Sequence, residues 1–136
     1  MTDQGHDELQ PTGVADIDRE HALELRVVRE VQAALLEGNR EKALLLLARL
    51  EDVTNAHFLT EQLLMRLHAY AGYEQHEQEH DVLIRELQAL SQQLSSGAPV
   101  DARLAVHQLE HWLLSHMATE DHVLGEFIRQ SPAHTP

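Results

Sequence analysis

Pairs of potential metal-binding residues that lie four or five positions apart constrain the fold of this 136-residue chain more than any other feature. The residues concerned are His21, followed by the pairs His57 and Glu61, His76 and His80, and His116 and Asp121. Residues about one helical turn apart leave the same side of a helix, so each close pair can reach one point in space. Imidazoles and carboxylates suit iron, zinc, nickel or manganese. We therefore expect several helices to meet around a metal site.

The composition excludes several other kinds of site and partner. The chain has no cysteine, which rules out disulfides, thiolate metal sites and thiol catalysis. Ten basic and 23 acidic residues give a formal net charge of −13 at pH 7, which disfavours nucleic acid and anionic membranes as partners. The longest apolar run, Ala43 to Ala48, is too short to cross a bilayer, and Met1 to Pro11 lacks the pattern of a secretion signal. We expect a soluble, cytoplasmic domain.

Apolar residues recur with the period of a helix, and the alternation typical of strands is absent. Four helices are predicted, at about residues 15–37, 40–70, 73–94 and 101–129, with Gly38 ending the first and Asn39 capping the second. Short loops between amphipathic helices predict an all-α, up-down-up-down antiparallel four-helix bundle over residues 14–130. Residues 1–13 and 131–136 are predicted to be flexible tails.

The position of each donor along its helix favours one shared site. In an up-down-up-down bundle, the first and third helices start at the end where the second and fourth helices finish. At 1.5 Å per residue, all seven donors fall in one layer roughly 5–15 Å from that end of the bundle. The spacing within the pairs does not require this agreement.

The remaining histidines are interpreted more simply. Among 11 histidines, roughly one HxxxH pair is expected by chance. His107 and His111 form such a pair, but a helical wheel places them on the solvent side of the fourth helix. His68 projects on the face of His57 but lies about 10 Å beyond Glu61, which favours packing or solvent over metal binding. No role is assigned to His68, His107, His111 or His122.

One spacing does not fit a regular helix. His116 and Asp121 are five residues apart, or about 140° around the helix, whereas Glu120 lies at i+4 on the face of His116. Geometry alone therefore favours Glu120, unless the helix is overwound or carries a bulge. The spacing leaves both carboxylates open as the partner of His116.

The whole order, H … HxxxE … HxxxH … HxxxxD over four helices, resembles the hemerythrins, and in particular the single-domain bacterial members. The resemblance covers about Ile17 to Phe127, and the segments DREH, HFLTE and WLLSH agree with it. It selects Asp121 over Glu120. It also implies a non-haem di-iron centre, with an oxo or hydroxo group between the two iron ions.

The resemblance implies that the histidines divide into two groups. One iron ion would be bound by His76, His80 and His116 and would have no open position. The other would be bound by His21 and His57, and it would keep a position open for dioxygen.

The resemblance further implies that Glu61 and Asp121 bridge the two ions. Leu113 would overhang the open position, and Trp112 would pack beside the metal site. Two departures from the family pattern are visible: the segment before the first helix lacks aromatic residues, and Met117 stands where isoleucine is usual. Neither departure removes a ligand.

The implied function is reversible dioxygen binding for storage, delivery or buffering, without catalysis. Oxygen-activating di-iron enzymes in helical bundles use more carboxylates and fewer imidazoles, because anionic ligands stabilise high-valent iron. Two alternatives stay open: a sensor of oxygen, nitric oxide or redox state that acts on a separate partner protein, and an enzyme that consumes peroxide or nitric oxide. A zinc-only site is disfavoured, because tetrahedral zinc would leave donors unused. Any protein recipient is unidentified.

Overall fold

The computed structural model describes residues 9–97 and 101–131, and every regular element in these ranges is a helix. The helices are α1 (Ala15–Leu36), α2 (Arg40–Leu67), α3 (Tyr73–Ser96), α4 (Ala102–Ala118) and α5 (Glu120–Gln130). Both α1 and α3 pack against α2 and α4, and α5 continues the course of α4. The predicted all-α, antiparallel four-helix bundle is confirmed, with α4 and α5 together forming its fourth helix.

Local capping explains where two of the helices start. The side chain of Asn39 accepts a hydrogen bond from the Lys42 N–H at 3.1 Å, as predicted, and the side chain of Asp101 accepts one from the Leu104 N–H at 3.1 Å. Gly38 has a φ of +73°, a left-handed conformation that glycine adopts without strain, just after the end of α1. The predicted stop at Gly38 is also confirmed.

The apolar helix faces form two clusters of buried residues. The larger one includes Val28, Val31, Leu47, Leu50, Leu83, Leu87, Leu94, Val106, Leu109 and Leu113. The smaller one consists of Val14, Ile17, Met65, Leu124 and Ile128. Along the sequence of α1, α2 and α4–α5, the predicted donors fall between members of these two clusters. The polar layer is therefore enclosed by apolar side chains on both sides.

The predicted fourth helix is not continuous. Thr119, with φ −111° and ψ −78°, separates α4 from α5, and its hydroxyl donates to the Ser115 carbonyl at 2.8 Å, a contact that bends helices. This interruption brings His116 and Asp121 to the same side, although a regular helix would hold them about 140° apart. The expectation of one uninterrupted helix over 101–129 is wrong at Thr119.

The chain just before α1 packs onto the bundle. Thr12 is 1% exposed, and its backbone N–H and its hydroxyl both donate to the Asp18 carboxylate at 2.7 Å. Asp18 thus stabilises the start of α1 by holding the residues that precede it. The rest of the predicted tails, residues 1–8 and 132–136, lies outside the described ranges.

Replacing Gly125 by alanine tests this packing. A Cβ at Gly125 would lie 2.7 Å from both the Cβ and the carbonyl oxygen of Thr12. Glycine to alanine in an exposed helix stabilises a protein by about 1 kcal/mol. Here we expect a loss of about 1–3 kcal/mol in the free energy of unfolding, because backbone must move aside.

Urea unfolding of Gly125→Ala beside the wild type measures this loss. Glu126→Ala, at an exposed neighbour in α5, serves as the control and should stay within about 0.5 kcal/mol of the wild type. A Gly125→Ala protein more stable than the wild type would contradict the contact with Thr12.

Candidate metal centre

All seven predicted donors are buried, and the structure brings them together. Their donor atoms form two groups, and within each group the atoms lie no more than 4.8 Å from one another. One group contains His76, His80, His116 and Asp121. The other group contains His21, His57, Glu61 and Asp121.

Glu61 lies between the two sets of imidazoles. Its Oε1 is 2.9 Å from His76 Nε2 and 2.8 Å from His80 Nε2. Its Oε2 is 3.1 Å from His57 Nε2 and 4.0 Å from His21 Nε2. The carboxylate therefore presents one oxygen to each set.

Asp121, on α5, is placed between the two sets of imidazoles in the same way as Glu61. Its Oδ1 is 3.0 Å from His76 Nε2 and 3.2 Å from His116 Nε2. Its Oδ2 is 2.8 Å from His21 Nε2 and 3.8 Å from His57 Nε2. Two carboxylates thus connect the same two sets of histidines.

Several of these atoms approach a common centre without forming hydrogen bonds. Those with no hydrogen-bond partner among the described residues are His57 Nε2, His80 Nε2, His116 Nε2, Glu61 Oε2 and Asp121 Oδ1. Buried polar atoms without partners are uncommon and costly. Bound cations would satisfy them, and imidazole with carboxylate is a donor set that iron accepts. The residues present therefore fit two metal ions, one in each group.

The interruption at Thr119 decides which of the two candidate carboxylates, Glu120 or Asp121, lies beside His116. Asp121 is 1% exposed and faces the histidines. Glu120 is partly exposed, and a hydrogen bond to the Glu79 carboxyl group raises the pKa of Glu120. The structure therefore brings Asp121, and not Glu120, next to His116.

Two glutamates that were not predicted from the sequence orient the histidines. The Nδ1 of His57 donates to Glu20 at 3.0 Å, and Glu20 also accepts a hydrogen bond from the Thr60 hydroxyl at 2.9 Å. The Nδ1 of His116 lies 2.9 Å from Glu79 in the same way. Such outer contacts direct the opposite ring nitrogen, Nε2, towards a metal. The only signal in the sequence is that each glutamate directly precedes another predicted donor.

Aromatic rings hold two of the imidazoles in place. Phe58 stacks on His80, with ring centroids 3.6 Å apart and planes 3° apart. Trp112 stacks on His116 at 5.0 Å and 7°. Leu113, the other predicted pocket residue, is buried in the larger apolar cluster.

A third carboxylate, Glu24, is also buried beside the histidines. Glu24 is 0% exposed, its Oε2 accepts a hydrogen bond from the Thr54 hydroxyl at 3.1 Å, and its Oε1 lies 3.8 Å from His57 Nε2. Burial raises the pKa of Glu24. Glu24 was not predicted as a site residue, although it follows His21 by three residues on the inward face of α1.

The other HxxxH pair does not join the site. His107 and His111 are exposed on α4, as predicted. His68 is buried at the end of α2 and belongs to neither donor group, so of the two roles expected for it, packing or contact with solvent, the structure shows packing.

The buried imidazoles and carboxylates strongly shift one another's pKa values. Burial alone would lower the pKa of His76, but close contacts with the carboxylates of Asp121 and Glu61 raise it to about 10. Burial alone would raise the pKa values of Glu61 and Asp121, but contacts with the imidazoles hold both below their usual range. Protons on imidazoles thus stabilise the carboxylates when no metal ion is bound.

These shifts predict how the stability of metal-free protein depends on pH. The folded pKa of His76 lies above its ordinary value of 6.5, so its contribution is complete below pH 6.5 and is lost as the pH rises through about 10. The lowered pKa values of Glu61 and Asp121 act oppositely, and their contribution is lost on acidification below the ordinary values of 4.5 and 3.8. We expect the melting temperature of metal-free protein to fall between pH 6.5 and 10.

Thermal unfolding followed by circular dichroism over this pH range measures the effect. Metal-loaded protein is the matched comparison, and it should lose less stability on the alkaline side because metal ions replace the protons. A melting temperature of metal-free protein that rises from pH 6.5 to 10 would contradict the stabilisation of the buried carboxylates by the protonated His76.

Comparisons with known proteins agree with this geometry. The family model of the Hemerythrin HHE cation binding domain matches residues 12–128 of this chain. The bacteriohemerythrin of Aquifex aeolicus (strain VF5) is 27% identical over 115 residues, which cover 83% of this chain and 88% of that protein. The bacteriohemerythrin of Methylococcus capsulatus is 25% identical over 114 residues, or 84% of this chain and 87% of that protein.

A shorter match of 41 residues is 44% identical to hemerythrin subunit 1 of Golfingia vulgaris and covers 30% of this chain and 36% of that subunit. No solved structure matches the chain significantly. The matched domain spans most of the chain and includes all seven converging donors. The predicted family is confirmed. The predicted cofactor, a di-iron centre, is confirmed as well, because it is the cofactor of this domain. The chain belongs to the hemerythrin family.

Proposed function

We propose that the protein binds dioxygen reversibly at a di-iron centre held by the seven converging side chains. The main support is the unequal number of histidines on the two sides of the shared carboxylates. One side has His76, His80 and His116, and the other has only His21 and His57. With one oxygen from each carboxylate, the first side offers five protein donors and the second offers four. The second side therefore keeps more room for a small ligand.

The donor chemistry supports binding without turnover. When bound, two iron ions supply the two electrons that dioxygen takes up on binding and returns on release. Glu61 and Asp121 contribute two negative charges, whereas neutral imidazoles contribute none. A set with five imidazoles and two carboxylates stabilises high-valent iron less than a carboxylate-rich set does. This balance favours an oxygen binder over an oxygen-activating enzyme.

The apolar surroundings support reversibility. Leu113 on one side and Leu124 on the other are 3% and 0% exposed, and they belong to the two clusters that enclose the polar layer. Exclusion of water and anions from such a site suppresses side reactions that would oxidise it irreversibly. We propose that Leu113 forms part of the wall of the dioxygen pocket, whereas Trp112, which stacks on His116, supports the side with five donors.

The fixed orientation of the imidazoles adds further support. His57 is held by Glu20, and His116 is held by Glu79 and by the ring of Trp112. A site whose side chains are fixed by neighbours keeps its geometry when the charge on the metal changes. The protein can then return to its starting state after each cycle.

Dioxygen is the only small-molecule ligand proposed, and neither nucleic acid nor a membrane is proposed as a partner. In the described ranges, no helix has the length and apolarity that a membrane span requires. The cytoplasm is the proposed location.

An oxygenation cycle tests the function directly. We expect iron-loaded protein, reduced without air, to develop a visible absorption band on exposure to air, because dioxygen then oxidises both iron ions. The band should disappear under argon and return in air over several cycles. A band that never reverses would reject reversible binding.

Two histidine variants provide matched controls for this cycle. His80→Ala removes a donor 2.8 Å from Glu61, so the affinity for iron should fall by at least the roughly 10–100-fold that loss of an outer contact to a ligand costs, and the absorption band should be lost. His107→Ala removes an exposed imidazole from the other HxxxH pair and should keep both the iron and the band. Full iron content and an unchanged band in His80→Ala would contradict the donor assignment.

The same preparations separate the alternative functions. Steady consumption of hydrogen peroxide well above that of free iron would indicate an enzyme. A change in hydrogen exchange or in oligomeric state between the reduced and oxidised proteins would indicate a sensor. Reversible oxygenation without either result supports a carrier or a buffer of oxygen.

A further inference from the structure

Glu24 is a buried acid next to the proposed metal centre. The two oxygens of Glu24 have different surroundings: the Thr54 hydroxyl donates to Oε2 at 3.1 Å, whereas Oε1 has no hydrogen-bond partner among the described residues. The free oxygen lies 3.8 Å from His57 Nε2, the atom that also faces Glu61. Glu24 therefore directs an unsatisfied oxygen towards the side of the centre that has fewer donors.

A purely structural role does not explain this placement. The ionisable neighbours of Glu24 are His57 and His21, which attract its charge, and Asp121 and Glu61, which repel it. An apolar side chain of similar size is usually as stabilising as a buried charge, or more so. A buried acid with one free oxygen is therefore costly unless a cation binds beside it.

We propose that Glu24 is an eighth donor of the metal centre and binds, through Oε1, the metal ion on the side of His21 and His57. This inference rests on the two-metal site of the proposed function. Both sides of the centre would then have five protein donors. Thr54 acts as a positioning residue, because its hydroxyl holds Oε2 and leaves Oε1 free.

An eighth donor has a specific consequence for small ligands. In the absence of a small ligand, Glu24 would occupy the position that the donor count otherwise leaves open beside His21 and His57, and it would leave that position when dioxygen binds. Dioxygen and small anions must compete with this carboxylate, which is attached to the chain and therefore always present at a high local concentration. Glu24 thus limits access to the more open side of the centre.

Azide binding to the oxidised, iron-loaded protein tests this competition. The variants are Glu24→Gln, which keeps the shape of the side chain, and Glu24→Leu, which removes both oxygens. We expect azide, followed by its visible absorption, to bind at least about tenfold more tightly to both variants than to the wild type. Glu30→Gln, the same change at an exposed residue of α1, is the control and should leave azide affinity unchanged.

A second measurement distinguishes an eighth donor from a hydrogen-bond acceptor. Without metal, Glu24→Leu should have a higher melting temperature than the wild type, because a buried acid with an unsatisfied oxygen is removed. If Glu24 served only to accept the hydrogen bond from the Thr54 hydroxyl, both variants would instead be less stable than the wild type. If Glu24→Leu does not fold, the azide affinity of Glu24→Gln alone is compared with that of the wild type.

The outcomes separate the two proposals. Two iron ions per chain in every variant, together with equal azide affinity in Glu24→Gln and the wild type, would overturn the role of Glu24 alone. A wild type that binds fewer than two iron ions would overturn the proposed function itself.

Discussion

The burial of two carboxylates in the interior of the bundle is the constraint on which the remaining structure depends. Glu61 and Asp121 are 0% and 1% exposed, and ionised carboxylates in such surroundings are unstable unless positive charge or hydrogen-bond donors compensate them. The compensation comes from imidazoles on α1, α2, α3 and α4, so each helix must present its histidine at the same depth. The site therefore specifies the relative positions of the helices as much as the apolar core does.

The two apolar clusters and the polar layer have opposing effects on stability. The clusters drive folding through burial of apolar surface, whereas the layer between them holds polar atoms whose hydrogen-bond capacity is not met by protein alone. Protons on imidazoles such as His76 relieve part of this cost, and bound metal ions would relieve more of it. Metal binding is therefore expected to stabilise the fold, while the apolar clusters offset the cost of the polar layer.

Helix periodicity, the caps and the donor pairs made the bundle and its seven converging residues predictable from the sequence. The partner of His116 was not predictable from spacing alone, because a one-residue interruption at Thr119 depends on how α4 and α5 pack. The supporting acids Glu20 and Glu79 contact histidines on neighbouring helices, and such contacts require the packed structure. Glu24 was not predictable from the sequence, because an acid on an apolar face resembles an ordinary exception to the helical pattern until its burial is known.

Anomalous X-ray scattering from crystals of the iron-loaded protein is the most direct test of the two-metal centre. Data collected on both sides of the iron absorption edge give the position of each iron ion independently of the protein atoms. Two peaks are expected, one beside His21 and His57 and one among the other three buried histidines, with Glu61 and Asp121 between them. A single peak, or peaks located away from these carboxylates, would contradict a shared di-iron site.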